Sequence, residues 1–469
     1  MDDQRLQAFI RGMWQDSIVP RLLDYIRIPN KSPLFDPNWQ HNGYMEQAVA
    51  LAREWCEHNA AARMSLEVIR LPGRTPLLYI DIAAQRNSGS VLLYGHLDKQ
   101  PEMAGWRDGL GPWSQVLAGD KLYGRGGADD GYAVFASLCA VLALQEQGVA
   151  HPRVAVLIEC CEESGSFDLV HYIEHLAPRI GTPDLVICLD SGCGNYDQLW
   201  CTTSLRGLIG GNLRVEVLRE GVHSGDASGI VPSSFRVLRQ LLSRLEFEHN
   251  GQIADSGFYA EVPEERVEQA ELAATVLGNA VFDKFPFAGA TRPVLTDRAE
   301  LILNRTWRPA LEVTGAAGFP ALDDAGNVLR PSSSLKLSLR LPPTLDAHGA
   351  ATRLKELLEA EPPYGARVNY EPEQAASGWH APLLDDRLSQ VLQDASLRYF
   401  GGDAMFMGEG GSIPFMRMLG ERYPQAQFVI TGVLGPQSNA HGPNEFLHLH
   451  TAERLTCCAA RLLAEFRSG

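Results

Sequence analysis

The sequence predicts a mixed α/β fold: a mostly parallel sheet flanked by helices, interrupted by an inserted α+β domain of split-βαβ, ferredoxin-like order. Three observations predict it. Short, continuous apolar runs at 91–94, 154–158, 185–189 and 428–430 carry no polar positions and alternate with helical stretches, the pattern of strands covered on both faces. Between about 205 and 384 the texture changes to a period of two, in Asn212–Leu218 and Ser334–Leu341, as half-exposed antiparallel strands require. At 469 residues the chain exceeds one ordinary hydrophobic core, so two domains are the natural division.

In chain order, Val91-Leu-Leu-Tyr94 reads as a buried strand that ends in Gly95-His96-Leu97-Asp98. After the turn Gly124-Arg-Gly-Gly127, residues Val134, Leu138, Val141 and Leu142 fall at helical spacing. Val154-Ala-Val-Leu-Ile158 leads into Cys160-Cys-Glu-Glu163, and Leu185–Leu189 leads into Asp190. The middle of the chain reads strand 212–218, helix 233–247, strand 311–314, strand 334–341, helix 346–361, strand 366–370, which is the split-βαβ order. We read this as a small domain set into a larger one. The division is 1–204 and 385–469 for the larger domain and 205–384 for the insert. Phe428-Val-Ile430 is the last strand before a turn-rich loop, Ser438-Asn-Ala-His-Gly-Pro443.

Apolar content of 45% and charged content of 21% are those of a globular protein. A net charge of −16 argues against nucleic acid or an anionic membrane as partner, since both attract a basic face. The first thirty residues hold no apolar run behind a basic start, and no uninterrupted apolar stretch is long enough to span a bilayer. The nine cysteines, with adjacent pairs at 160–161 and 457–458, lack zinc-finger spacing and read as small buried hydrophobes in a reducing cytoplasm.

Five residues at the ends of these runs carry metal chemistry: His96, Asp129, Glu163, Asp190 and His441. Two imidazoles and three carboxylates suit a pair of divalent cations of zinc type, one carboxylate being shared. Asp98 stands on the same side of an extended segment as His96 and is placed to orient that imidazole. Glu162 and Glu163 point opposite ways at a strand end, so one serves as ligand and the other as general base on water; we assign Glu162 the base, although spacing alone leaves the order open. The glycines before Asp129 lack the third glycine of a nucleotide fingerprint. His448 and His450 are assigned no function.

Taken in order, Gly95-His-Leu-Asp98, Gly124-Arg-Gly-Gly-Ala-Asp-Asp130, Glu162-Glu-Ser-Gly165, Leu189-Asp190, His223-Ser-Gly225, Gly408-Glu-Gly-Gly-Ser-Ile-Pro414 and His441 resemble the motifs of one family. It is the co-catalytic zinc metallopeptidases, which include carnosinase-like cytosolic dipeptidases, aminoacylases, glutamate-type carboxypeptidases and desuccinylases. The resemblance spans nearly the whole chain. It implies two Zn2+ per subunit, with Mn2+ or Co2+ as alternatives: one held by His96 and Asp190, the other by Glu163 and His441, with Asp129 bridging and a cis Asp129–Asp130 peptide. It implies that Asp98 orients, that Glu162 is the base, and that His223 reaches the active site of a second subunit, which makes a homodimer the catalytic unit. An edge strand of the small domain is a sensible dimer contact.

Lys336, Ser338 and Arg340 share the polar face of one strand, and a guanidinium there can grip a carboxylate with both prongs. Arg340 matches the family's carboxylate-binding arginine, thirteen residues after Asn327; Gly411 and Ser412 resemble the turn that receives the substrate's end. Three departures border the pocket: Gly408 where relatives carry Arg, Gly131 where they carry Lys, and a proline displaced by Arg330. The function implied is a two-zinc amide-bond hydrolase, a dipeptidase or exopeptidase for small peptides with a free carboxylate. An N-acyl-amino-acid deacylase or carbamoyl-amino-acid amidohydrolase is the alternative. A non-catalytic zinc-stabilised binding module would have lost a ligand or the base, and all seven residues are present.

Overall fold

The computed structural model describes residues 1–411 and 413–467. A six-stranded sheet lies at the centre, in the order Met64–Ile69, Leu77–Ile82, Arg153–Glu159, Ser90–His96, Leu185–Cys188, Gln427–Ile430. The last four strands run parallel, and the first two are added antiparallel at one edge. Alternate side chains of each strand enter different cores because successive Cβ atoms point to opposite faces. Val91, Leu93, Val154, Val156 and Ile187 pack under the helices Asp3–Met13, Tyr44–His58, Ala133–Glu146, Asp386–Tyr399 and Leu449–Glu465. Leu92, Tyr94, Leu157 and Val186 pack under Leu169–Ile180 and Pro414–Arg422. Covering on both faces explains why these strands lack polar positions.

The segment Gly127–Glu146 is long and apolar enough to cross a membrane, but 94% of its apolar 18-residue window is buried inside the protein. Helix Ala133–Glu146 is apolar all round because it lies between the sheet and the helix Leu449–Glu465.

The second sheet is antiparallel, in the order Ala310–Ala317, Ser332–Leu341, Gly207–Glu216, Arg367–Ala376. Helices Ser234–Leu245 and Ala347–Glu359 cover one face through Leu238, Leu241, Leu354 and Leu358. In sequence order the strands lie 2-3-1-4, the split-βαβ arrangement. Its first strand begins earlier than the alternation suggests, because Gly207, Gly210 and Gly211 have no side chain to display the period. A Cβ on Gly211 would lie 2.8 Å from the Tyr370 hydroxyl.

One stretch within 205–384 packs elsewhere. Helices Glu264–Leu277, Ala280–Asp283 and Arg298–Thr306 bury Ala270, Ala273, Ala274, Ile302 and Leu303 against Trp200, Met405 and Met407. Trp200 and both methionines belong to a three-stranded sheet of Trp379–His380, Trp200–Leu205 and Met405–Glu409. These helices thus bridge the insert to strands on either side of it in the chain.

The carboxyl end of the last helix is held chiefly by one side chain, with Arg387 and Arg467 adding contacts to Glu465, Ala464 and Phe466. The Arg86 guanidinium donates to the carbonyls of Ala150, Leu463, Ala464 and Phe466 at 2.5–2.8 Å, satisfying acceptors that a helix end leaves open. Arg86→Met is expected to cost about 2–3 kcal/mol, read as a lower urea midpoint at unchanged slope, with Arg86→Lys recovering part of the loss.

Candidate metal centre

The parallel strands aim their carboxyl ends at one spot, the place where open α/β sheets build sites. His96 closes Ser90–His96, Asp190 lies two residues past Leu185–Cys188, and Glu162 and Glu163 form a short helical turn after Arg153–Glu159. Asp129 precedes helix Ala133–Glu146, and its peptide bond to Asp130 is cis. His441 comes from the loop before Phe446–His448.

These five residues fall into two trios that share Asp129: His96, Asp129 and Asp190, and Asp129, Glu163 and His441. The two oxygens of Asp129 face different ways. Oδ1 is 3.7 Å from His96 Nε2, which is 3.6 Å from Asp190 Oδ2. Oδ2 is 3.1 Å from His441 Nε2, which is 3.4 Å from Glu163 Oε2. His96 Nε2 and Glu163 Oε1 are buried without a hydrogen-bond partner among the described residues, as atoms reserved for something else are. The donor set fits two divalent cations of zinc type bridged by one carboxylate.

The electrostatics point the same way. Burial and the nearby Asp129 push the Asp190 carboxyl up to about 7, despite His96. Burial, then Asp129, raises Glu163 well above the usual carboxylate range; burial, then Asp190, does the same to Glu162. Burial also opposes ionisation of Asp129, but His441 and His96 outweigh it and hold that carboxyl low. Burial disfavours a charged His96, yet Asp190, Asp129 and Asp98 raise it well above an ordinary histidine. Acids this crowded call for positive charge between them.

The ligands are braced from behind. His96 Nδ1 lies 3.0 Å from the Asp98 backbone carbonyl and 3.4 Å from the Asp98 carboxylate. That carboxylate chiefly accepts from the backbone N–H groups of Glu162 and Glu163, at 3.1 and 3.0 Å, so Asp98 positions the acidic turn as well as the imidazole. The Asp130 carboxylate accepts from the His96 backbone N–H at 3.3 Å, and Gln100 donates to Glu163 Oε2 at 2.5 Å. No side chain fits at Gly131: a Cβ there would overlap the Tyr25 ring and lie 2.6 Å from the Gly126 carbonyl. Gly408 is similarly confined, since a Cβ would lie 2.9 Å from Thr306 Cβ. Both departures from the family pattern thus have local steric causes.

A buried ion pair is the brace that sequence reasoning missed. Arg125 and Glu445 meet at 2.5 Å with side chains 1% and 0% exposed. Arg125 also donates to the carbonyls of His441 and Gly442, and Glu445 accepts from the Gly126 N–H at 2.8 Å. The pair joins the Asp129 turn to the His441 loop, where Gln437, Asn439, His441 and Asn444 all hold positive φ, a conformation side-chain-bearing residues resist. In the sequence these are two charges among many; nothing marks them as buried.

Asp129, Glu163, Asp190 and His441 open into a cavity of about 780 Å³ that Arg340, Gly411 and Glu162 also line. Ser412 lies outside the described residues. His223 and Asn327 are not among the residues lining it. They lie side by side: the Ser224 N–H donates to the Asn327 carbonyl at 2.9 Å, and His223 pairs with Val328. Glu445→Gln is expected to weaken metal binding on the His441 side about 10–100-fold with less effect on the His96 side, seen as two separated affinities in calorimetric zinc titration.

Residues 92–465 match the model of peptidase family M20/M25/M40. The chain is 27% identical over 394 residues to a cysteinylglycine-S-conjugate dipeptidase of Corynebacterium striatum, covering 80% of this chain and 81% of that one. It is 26% identical over 421 residues to the Beta-Ala-His dipeptidase of Homo sapiens, covering 87% and 82%. In fold it is similar to the di-peptidase Dug1p from Saccharomyces cerevisiae, with a TM-score of 0.78 at 20% identity over 99% of this chain and 98% of that one. A paired metal-ligand cluster at the strand ends and a family match over four-fifths of its length lead to one conclusion: the chain belongs to peptidase family M20/M25/M40 and is a metallopeptidase, a hydrolase of amide bonds.

Proposed function

We propose that the protein is a cytoplasmic two-zinc dipeptidase acting on small peptides with a free carboxylate. The observation that carries this reading is the pair of trios sharing Asp129 at the floor of a cavity that also holds the Arg340 guanidinium. Relatives named as dipeptidases, matched over about four-fifths of both chains, favour a dipeptide over an N-acyl amino acid.

His96, Asp129 and Asp190 would hold one zinc, and Asp129, Glu163 and His441 the other. When bound, such a pair polarises a carbonyl and brings the acidity of water near neutrality. Glu162 lines the cavity outside both trios, free to take a proton from the attacking water and return it to the leaving nitrogen. Burial and Asp190 raise its proton affinity, which suits a general base. Asp98 fixes the turn that carries Glu162 and Glu163. Arg340 takes the substrate carboxylate, with Gly411 and Ser412 receiving the same end.

His223 and Asn327 lie away from the cavity of their own chain, so they serve the site of a second copy. Residues 205–384 then act as lid and dimerisation domain, and the homodimer is the working unit. The edge strand Ala310–Ala317, with Val313 45% exposed, supplies a contact for the partner. Nine cysteines, all buried and unpaired, support a reducing compartment. The net charge of −16 disfavours nucleic acid and anionic membranes.

Glu162→Gln is expected to retain both zinc ions and lose about 10²–10⁴-fold in kcat; near-normal turnover contradicts the assignment. In a panel of dipeptides against N-acetyl and N-succinyl amino acids, dipeptides are expected to turn over fastest. A preference for the acyl compounds would replace the dipeptidase reading with a deacylase.

A further inference from the structure

One wall of the cavity carries more positive charge than a single substrate carboxylate needs. Arg340, on strand Ser332–Leu341, shares the lining with Arg305, on helix Arg298–Thr306, and with Lys284, just after helix Ala280–Asp283. Arg206 stands behind them. Its guanidinium is spent on the backbone carbonyls of Gly410, Asn304 and Arg308, each at 3.2 Å. Arg305 lies next to it, since a Cβ on Gly410 would lie 3.2 Å from Arg305 Cγ and 3.3 Å from Arg206 Nη2; burial, with the charges of Arg340 and Arg305, pushes Arg206 down to about 9.

Glu409 is the single acid in the described lining apart from the metal-ligand carboxylates and Glu162. Its closest approach to Arg305 is 3.6 Å, too long for a hydrogen bond, so the Arg305 fork is not closed on it. Neither Lys284 nor Arg340 has an ion-pair partner among the described residues. Burial and the Arg305 charge, against the pull of Glu409, push the Lys284 ammonium down to about 8. Cations confined together at a cavity wall repel one another, and an anion between them relieves that cost. A terminal carboxylate on Arg340 leaves Lys284 and Arg305 facing one loosely held acid.

Resting on the dipeptidase reading above, we propose that the preferred substrate has an acidic C-terminal residue: Arg340 holds its α-carboxylate while Lys284 and Arg305 take its side-chain carboxylate. The two carboxylates are assigned to one residue because Lys284, Arg305 and Arg340 line the same cavity. A planar guanidinium beside an ammonium can grip a carboxylate and leave an amide of the same shape poorly served. Lys284 and Arg305 sit on the helical segment 264–306, so specificity is set by the stretch that bridges the insert to the strands around it.

The test compares kcat/KM of the zinc-loaded enzyme on the near-isosteric pair Ala-Glu and Ala-Gln, and on the reversed pair Glu-Ala and Gln-Ala. Wild type is expected to favour Ala-Glu over Ala-Gln by about 10-fold or more, with no comparable preference in the reversed pair. In the double variant Lys284→Gln, Arg305→Gln the Ala-Glu to Ala-Gln ratio falls towards one, chiefly through KM, as loss of uniform binding requires. A merely structural role for the two cations would lower both substrates together and keep the ratio, which overturns the proposal. So does equal use of Ala-Glu and Ala-Gln by wild type, or a preference confined to Glu-Ala. If all four dipeptides are inert while N-acyl amino acids are cleaved, the dipeptidase reading fails instead, and N-acetyl-Glu against N-acetyl-Gln then tests the same two cations by the same ratio.

Discussion

The carboxylate of Asp129 is the constraint on which the site depends. Its two oxygens face two separate groups of ligands, His96 with Asp190 on one side and His441 with Glu163 on the other. Three carboxylates buried in so small a space repel one another and are desolvated, and the two imidazoles offset this only for Asp129, unless cations lie between them. Much of the surrounding structure can be read as the apparatus that tolerates this crowding. The parallel sheet delivers His96, Glu163 and Asp190 from adjacent strand ends, and Gly126 and Gly131 let the chain bearing Asp129 come in under the Lys99 stem and the Tyr25 ring.

The remaining candidate ligand, His441, comes from a loop, and it receives the most elaborate support. Its loop carries four residues at positive φ and stands half-exposed. What fixes it is the buried Arg125–Glu445 pair, which hydrogen-bonds to both the loop and the glycine turn. Burial raises Glu445 to about 7 against the pull of Arg125, so this brace is itself a desolvated group held by geometry. An interior ion pair of this kind contributes little net stability but is costly to break on one side. Its value here lies in registration of two distant stretches of chain.

Much of this was legible in the residues. His96 and Asp190 stand out because each closes an apolar run, and Glu163 because it ends an acidic pair just past one; a buried strand end does not carry charge without reason. The second sheet was legible from the alternation in Ser334–Leu341, less so in 207–211, where glycines erase the period. The order of Glu162 and Glu163 was not legible from spacing, because both sit on one short turn; in the structure Glu163 alone joins the trio with Asp129 and His441. The bridging helices escaped notice because Glu264–Leu277 contacts its neighbours through Ala270, Ala273 and Ala274, side chains too small to make a strong apolar stripe. Arg125 and Glu445 look like surface charges until folded. His223 and Asn327 belong, in the proposed function, to a neighbour's site, and no property of a single chain reveals that.

The most direct test of the central claim is the zinc content and affinity of purified wild type and Asp129→Asn, measured by elemental analysis after dialysis and by calorimetric titration, with circular dichroism to verify the fold. The account predicts two zinc ions per chain for wild type, and a folded Asp129→Asn protein that has lost affinity at both positions together. An Asp129→Asn protein that binds two ions as tightly as wild type, or loses only one while the other is unaffected, would contradict the shared carboxylate.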